Sequence, residues 1–287
     1  MKILPKPLTD IKVEDIYTEC VEGFSSEVKR ARLLSCKDLV VKDSNLYDTC
    51  VPQALDEFSV SELPEDISKD DLISVYTQKF AAKDGPGRKY YDAIKGQAVR
   101  GVCPICGIRI VNTLDHYLPK TKTPTLSITP SNLIPSCRDC NMDKRADMTL
   151  DPKNTPVHLY FDSIPDEPWL FTKIDENLEV IYFVNCPKTW DAGLRSRIEK
   201  HLDFYKLYDL YSSHASQEIA DKLYRWRELV ELGGIDELQT YIESECRSIE
   251  QSDVNSWKAA LYRGLKNDFD KIKIYFFNLG VAVTYNK

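Results

Sequence analysis

No apolar run in the 287-residue chain is long enough to cross a membrane. The longest, Ile274 to Val283, is broken by Asn278 and Gly280 and falls well short of the roughly 20 residues that a spanning helix requires. Met1 to Pro7 lacks the apolar core of about 7–15 residues found in a secretory signal, and Pro5 and Pro7 would break one. A cytoplasmic chain with no membrane partner is the expectation. There is no internal repeat and no low-complexity tract. With 43% hydrophobic and 29% charged residues, collagen-like and wholly disordered classes are excluded. The length suits about two domains, or one with large additions.

An even cysteine set is also missing. Nine cysteines in a chain without a secretory signal argue against a disulfide framework and for metal ligation. Four of them are closely paired, and the other five read as small buried hydrophobes or free thiols. The overall charge of −7 hides a contrast. Arg88 to Arg145 holds ten basic and four acidic residues, a net of +6 against −13 for the remainder. The basic block coincides with the cysteine pairs, so the acidic total does not exclude a local contact with phosphates.

Residues 1–85 read as a mainly helical N-terminal region. Ser26 can cap a helix carrying Val28, Ala31, Leu33 and Leu34, and Ser68 to Asp71 resembles a second start. Asp84-Gly85-Pro86-Gly87 is the strongest local breaker and marks a boundary before a short helix from Arg88 to about Gly96. Residues 86–155 form a compact module in which Ile108 to Leu114 suits a β-hairpin around Asn112. Residues 156–190 supply two or three short strands, at Tyr160-Phe161-Asp162, Trp169-Leu170-Phe171 and Val180–Val184. Residues 191–287 are helical. Leu194, Ile198, Leu202, Tyr205 and Tyr208 make one stripe, Ile219 to Val230 a second, Leu238 to Ile249 a third and Trp257 to Phe269 a fourth. Such stripes are core faces. The fold class expected is α+β, with the module between helical arms.

The chemistry concentrates in that module. Cys103-Pro104-Ile105-Cys106 and Cys137-Arg138-Asp139-Cys140 are two knuckles separated by 30 residues, a spacing that presents four thiolates to one Zn²⁺. Four cysteines leave no open ligand position, so this zinc is structural. Around the knuckles lie Asp115-His116-Tyr117-Leu118-Pro119-Lys120, then Asn132-Leu133, then Cys140-Asn141-Met142-Asp143-Lys144-Arg145.

This order and spacing resemble the HNH nuclease family, whose ββα-metal core runs Asp-His-x-x-Pro, Asn-Leu and Cys-x-x-Cys-Asn with a nearby Lys. The resemblance covers residues 103–144. It implies a metal-dependent endonuclease with His116 as general base, Asp115 and Asn141 as ligands of a catalytic Mg²⁺ or Mn²⁺, and Asn132 as the residue that holds the His-bearing loop. Lys120, Lys144 and Arg145 would contact phosphates. Asn141 stands where the family's last His is common. Asp115 and His116 on an extended strand would point to opposite sides, one to the metal and one to the attacking water.

More weakly, the flanks resemble larger bacterial HNH proteins of anti-phage defence, including Septu-type nuclease subunits paired with an ATPase, although those usually carry Glu-His where this chain has Asp115-His116. That likeness implies a defence or restriction effector acting with a protein partner such as an ATPase, or as a homodimer. DNA is the expected polymer, with an RNA-cleaving toxin as the alternative. A non-catalytic zinc-stabilised adaptor also stays open, in which Asp115-His116 is a satisfied turn pair, Asn141 a knuckle cap and Asn132 a turn former. His158, His201 and His214 have no partner motif and read as structural or surface residues.

Overall fold

The structure is a computed structural model that describes residues 1–51, 55, 58–144 and 155–280. It is α+β and divides into two compact units, Lys2–Ser163 and a second from Ile164 onward.

In the first unit, α1 (Val13–Glu22), α2 (Glu27–Ser35), α3 (Lys37–Cys50), α4 (Lys69–Val75) and α5 (Arg88–Lys95) surround a small sheet. Their starts follow local chemistry. The Ser26 side chain accepts the Lys29 N–H at the head of α2, and Ser68 and Asp71 form a reciprocal capping box at α4. The sheet pairs β1 (Thr113–His116) with β2 (Leu133–Ser136) antiparallel, with Asp115 opposite Ile134 and His116 opposite Leu133. β2 leads into the single-turn-plus helix α6 (Arg138–Asp143). Leu114 and Leu133 of the sheet share one buried cluster with Ile16, Leu72, Phe80 and Ile94 of the helices. The N-terminal helices and the cysteine-bearing module therefore have a common core.

The hairpin expected around Asn112 does not form. The chain reverses earlier, at the first knuckle, where Val102 bridges Ile110 and Gly107 takes a positive φ. Asn112 instead donates its N–H to the Ser136 carbonyl, and its Oδ1 accepts the Arg138 N–H. The β1 partner is remote in sequence, which local patterning cannot reveal. Tyr160-Phe161-Asp162 is a turn and not a strand, because the N–H groups of Phe161 and Asp162 both return to the His158 carbonyl.

The second unit holds the antiparallel pair β3 (Leu170–Ile174) and β4 (Val180–Val184). It also holds α7 (Ala192–Phe204), α8 (Leu207–Gly233), α9 (Ile235–Glu250), α10 (Trp257–Asn267) and α11 (Phe269–Asn278). The stripe read as one face from Leu194 to Tyr208 is split, since Lys206 turns left-handed at φ 51° between α7 and α8. Phe269 opens α11 and does not extend α10.

α10 lies on β3 through a close approach at Gly264. A Cβ there would overlap Thr172 Oγ1, which donates to the Ala260 carbonyl at 2.9 Å in a buried position. Gly264→Ala is expected to lower unfolding stability by about 2–4 kcal/mol through overpacking and loss of that bond. Urea denaturation followed by circular dichroism measures this.

Candidate active site

Both cysteine knuckles are tight turns whose backbone is spoken for. Gly107 N–H reaches the Cys103 carbonyl at 2.8 Å, and the N–H groups of Arg109 and Cys140 point at Cys106 Sγ and Cys137 Sγ at 3.5 and 3.4 Å. Such N–H···S contacts stabilise thiolates. The four ligand sulfurs, all buried, lie within 4.8 Å of one another. A tetrahedral zinc with Zn–S near 2.3 Å sets its sulfurs about 3.8 Å apart, so the cluster is of the right size and chemistry for one Zn²⁺. Arg109 and Asp139 pair at 2.9 Å across the two knuckles.

One step along the chain, β1 ends in Asp115 and His116. Both are buried, yet both line a cleft of about 170 Å³ together with Pro119, Lys120, Thr121, Asn141 and Lys144. The two side chains do diverge, as alternation along a strand requires. Asp115 reaches toward the end of α6, where its Oδ2 meets Lys144 Nζ at 3.0 Å, and His116 reaches the 124–127 turn. Lys144 is almost wholly enclosed, with 3% of its side chain exposed. Burial pushes the Asp115 carboxyl up and the Lys144 ammonium down, and their mutual attraction opposes both shifts. Burial also lowers Lys120, with the Asp115 charge pulling it back.

His116 Nε2 lies 2.9 Å from the Ser127 carbonyl. A carbonyl only accepts, so Nε2 carries the proton and Nδ1 is the basic nitrogen. Burial, reinforced by the Lys120 charge, pushes the imidazole down to about 3, keeping it neutral near pH 7. The ring meets Tyr76 edge-on at 4.5 Å.

Asn132 is fully enclosed and clamps the intervening loop. Its Oδ1 accepts the Leu118 N–H at 2.7 Å, while Nδ2 donates to the carbonyls of Leu118 and Leu126 at 3.1 and 3.3 Å. The loop is further tied to α3. Thr125 Oγ1 donates to the buried Asp43 carboxylate at 2.6 Å, Ser44 and Thr129 hydroxyls pair at 2.7 Å, and Ser131 donates to Asp48.

Of the residues singled out from sequence, the cleft thus brings together Asp115, His116, Asn141, Lys120 and Lys144. Asn132 stands behind it, and the four cysteines form a separate cluster. Arg145 lies outside the described residues. Sequence reasoning missed Ser127, whose contribution is a backbone carbonyl, and Tyr76, which is 40 positions from His116. It also missed Asp43, Ser44 and Asp48, whose spacing along α3 was the only available signal. His158 is a core residue that accepts the Tyr160 N–H at Nδ1 and meets Tyr47 Oη at 2.9 Å.

Comparison with known proteins agrees with this geometry. The family model for HNH endonucleases matches residues 103–147. Protein ea31 of Escherichia phage lambda is 27% identical over 220 residues, a span covering 71% of this chain and 74% of that protein. No solved structure matches the chain.

Two outcomes are expected from this site. Purified protein should carry about one zinc per chain, and Cys137→Ser should remove it and lower the melting temperature of the first unit, because ion binding is also folding free energy. Metal analysis and calorimetry check this. The second concerns pH. An unfolded His116 binds a proton near pH 6.5 and the folded one does not until about 3, so its contribution is complete above 6.5 and drains away as pH falls toward 3. Between pH 7.5 and 5.5 wild type should lose about 1.4 kcal/mol more than His116→Gln. Parallel urea titrations at the two pH values read the difference.

Proposed function

We propose that this chain, whose residues 103–147 match the HNH endonuclease model, is a metal-dependent endonuclease that hydrolyses phosphodiester bonds of DNA with His116 as general base. The observation that carries the reading is the placement of His116. Its Nε2–H is committed to the Ser127 carbonyl, and it lines one cleft with a carboxylate, a neutral amide and two lysines.

A base must be unprotonated and held within reach of the water it activates. The Ser127 carbonyl fixes the tautomer, burial keeps the ring neutral, and the loop clamped by Asn132 holds the carbonyl in place. Asp115 and Asn141 would hold a Mg²⁺ or Mn²⁺. Two oxygen donors in one open cleft fit a hard cation that keeps several waters. Such an ion supplies neutralisation of the charge that builds on the phosphoryl and leaving oxygens. Lys120, at the cleft, offers its ammonium to a phosphate. Lys144 serves first to neutralise the buried Asp115.

The biological setting extends the same proposal. A net charge of −7 with one basic module weakens indiscriminate binding to polyphosphates, which suits an effector that waits for a trigger or a partner. We place it in anti-phage defence or restriction, with an ATPase or a second copy as the partner. The similar protein ea31 is one of phage lambda.

Incubating the protein with supercoiled plasmid and, separately, total RNA in Mg²⁺ or Mn²⁺ tests the reading. Plasmid cleavage is expected, reduced by about 10²–10⁴-fold in a zinc-loaded His116→Ala variant. Cleavage of RNA alone would move the substrate to RNA, and equal cleavage by the variant would remove His116 from the chemistry.

A further inference from the structure

The segment leaving α4 reaches the candidate base from a part of the chain outside the matched module. α4 runs into a π-helical turn, Tyr76–Phe80, closed by the Ala81 N–H donating to the Tyr76 carbonyl at 2.8 Å. Such widened turns recur at functional sites, where they reorient a side chain relative to the regular helix. This one is braced from outside. Gly87 N–H bonds the Lys79 carbonyl and Arg88 Nη1 the Ala81 carbonyl, each at 3.0 Å. A Cβ at Gly87 would stand 2.8 Å from Phe80 Cα, so the brace packs backbone to backbone.

What the turn presents is Tyr76, 6% exposed, stacked on Phe80 at 5.7 Å. Its ring centroid is 4.5 Å from that of His116, at an interplanar angle of 68°. Lys120 Nζ sits 5.0 Å from the same centroid. The preceding turn also reaches the loop that holds the imidazole, since Ser127 Oγ donates to the Leu72 carbonyl at 3.3 Å and the Ser127 carbonyl receives His116 Nε2–H.

One hydrogen bond at Nε2 fixes a point on the imidazole but leaves the ring able to swing about it. A second ring packed against it at a steep angle, itself buried, removes that freedom. The same ring attracts the Lys120 ammonium, which no carboxylate holds within ion-pair distance among the described residues. We propose that Tyr76 is a positioning residue of the nuclease site, fixing the plane of the His116 imidazole and holding the Lys120 ammonium at the cleft. Residues 69–80 then belong to the active site although they lie outside the HNH domain. This rests on the reading of His116 as general base.

The test uses the full zinc-loaded chain with Mn²⁺ and supercoiled plasmid. Tyr76→Phe keeps the ring and should cleave within about 3-fold of wild type, whereas Tyr76→Leu should lower kcat by about 30-fold or more with KM within about 2-fold. Zinc content and melting temperature are recorded for each. Wild-type kcat in Tyr76→Leu, an effect confined to KM, or loss of activity in Tyr76→Phe each overturns the proposal. If Tyr76→Leu does not retain zinc, Tyr76→Met takes its place under the same criteria.

A second readout needs no cleavage. Carbon relaxation at His116 Cδ2 and Cε1 should report one rigid ring in wild type and Tyr76→Phe, and rotameric averaging in the aliphatic variant. A ring equally rigid in the aliphatic variant overturns the positioning role. Where the isolated wild type cuts neither polymer, the relaxation measurement alone decides the role of Tyr76.

Discussion

The site depends on a single hydrogen bond, His116 Nε2–H to the Ser127 carbonyl at 2.9 Å. An imidazole buried beside a lysine is costly as a cation, and as a neutral ring it has two tautomers. The carbonyl chooses one, and everything around the loop serves to keep that carbonyl where it is. Asn132 spends three hydrogen bonds on the loop's two ends. Asp43, fully enclosed, accepts from Thr125 and also from the N–H and hydroxyl of Ser61. A buried carboxylate without such donors would be strongly disfavoured, so Asp43 is evidence that the loop's position is specified and not incidental.

The matched domain spans residues 103–147, and its two strands are four residues each. A pair of short strands cannot bury enough surface to stand alone. Two supports make up the difference. The cysteine cluster closes one end, and the N-terminal helices supply a core into which Leu114 and Leu133 insert. Those helices therefore act first as scaffold for the strand that carries Asp115 and His116.

How much of this was legible in the sequence follows from the range of each interaction. The knuckles, the Ser26 and Ser68 caps and the Asp115-His116 pair are short-range patterns with fixed spacing, and the structure has them where the spacing puts them. Asp84-Gly85-Pro86-Gly87 shows the limit. As a breaker it suggests an edge between regions. In the structure the glycines allow close packing within one unit, since a Cβ at Gly85 would overlap the Lys79 carbonyl and one at Gly87 would meet Cys20 Sγ at 2.5 Å. Glycine at a turn and glycine at a close approach look alike in sequence. Lys206 is the converse. It adopts a left-handed conformation with no glycine or asparagine to announce it, and an apparent helical stripe runs straight across the break. Tyr76 and Ser127 were invisible because their contributions are a ring and a carbonyl brought in by tertiary contact, and no motif constrains either.

The cysteine cluster and the candidate cleft are coupled through one short helix. Cys137 and Cys140 fix the start of α6, Asn141 follows the last ligand directly, and the Lys144 N–H bonds the Cys140 carbonyl at 3.2 Å. From there Lys144 Nζ crosses to Asp115 on β1. α6 is six residues long, too short to be stable by propensity, so its geometry is inherited from the thiolate cluster at its head and the buried ion pair at its tail. Losing the first would free Asn141 and unseat Lys144, leaving Asp115 buried without its cation. The thiolate cluster is thus tied through α6 to residues that line the cleft, which is why ligand spacing in the sequence carries information about positions beyond the cluster itself.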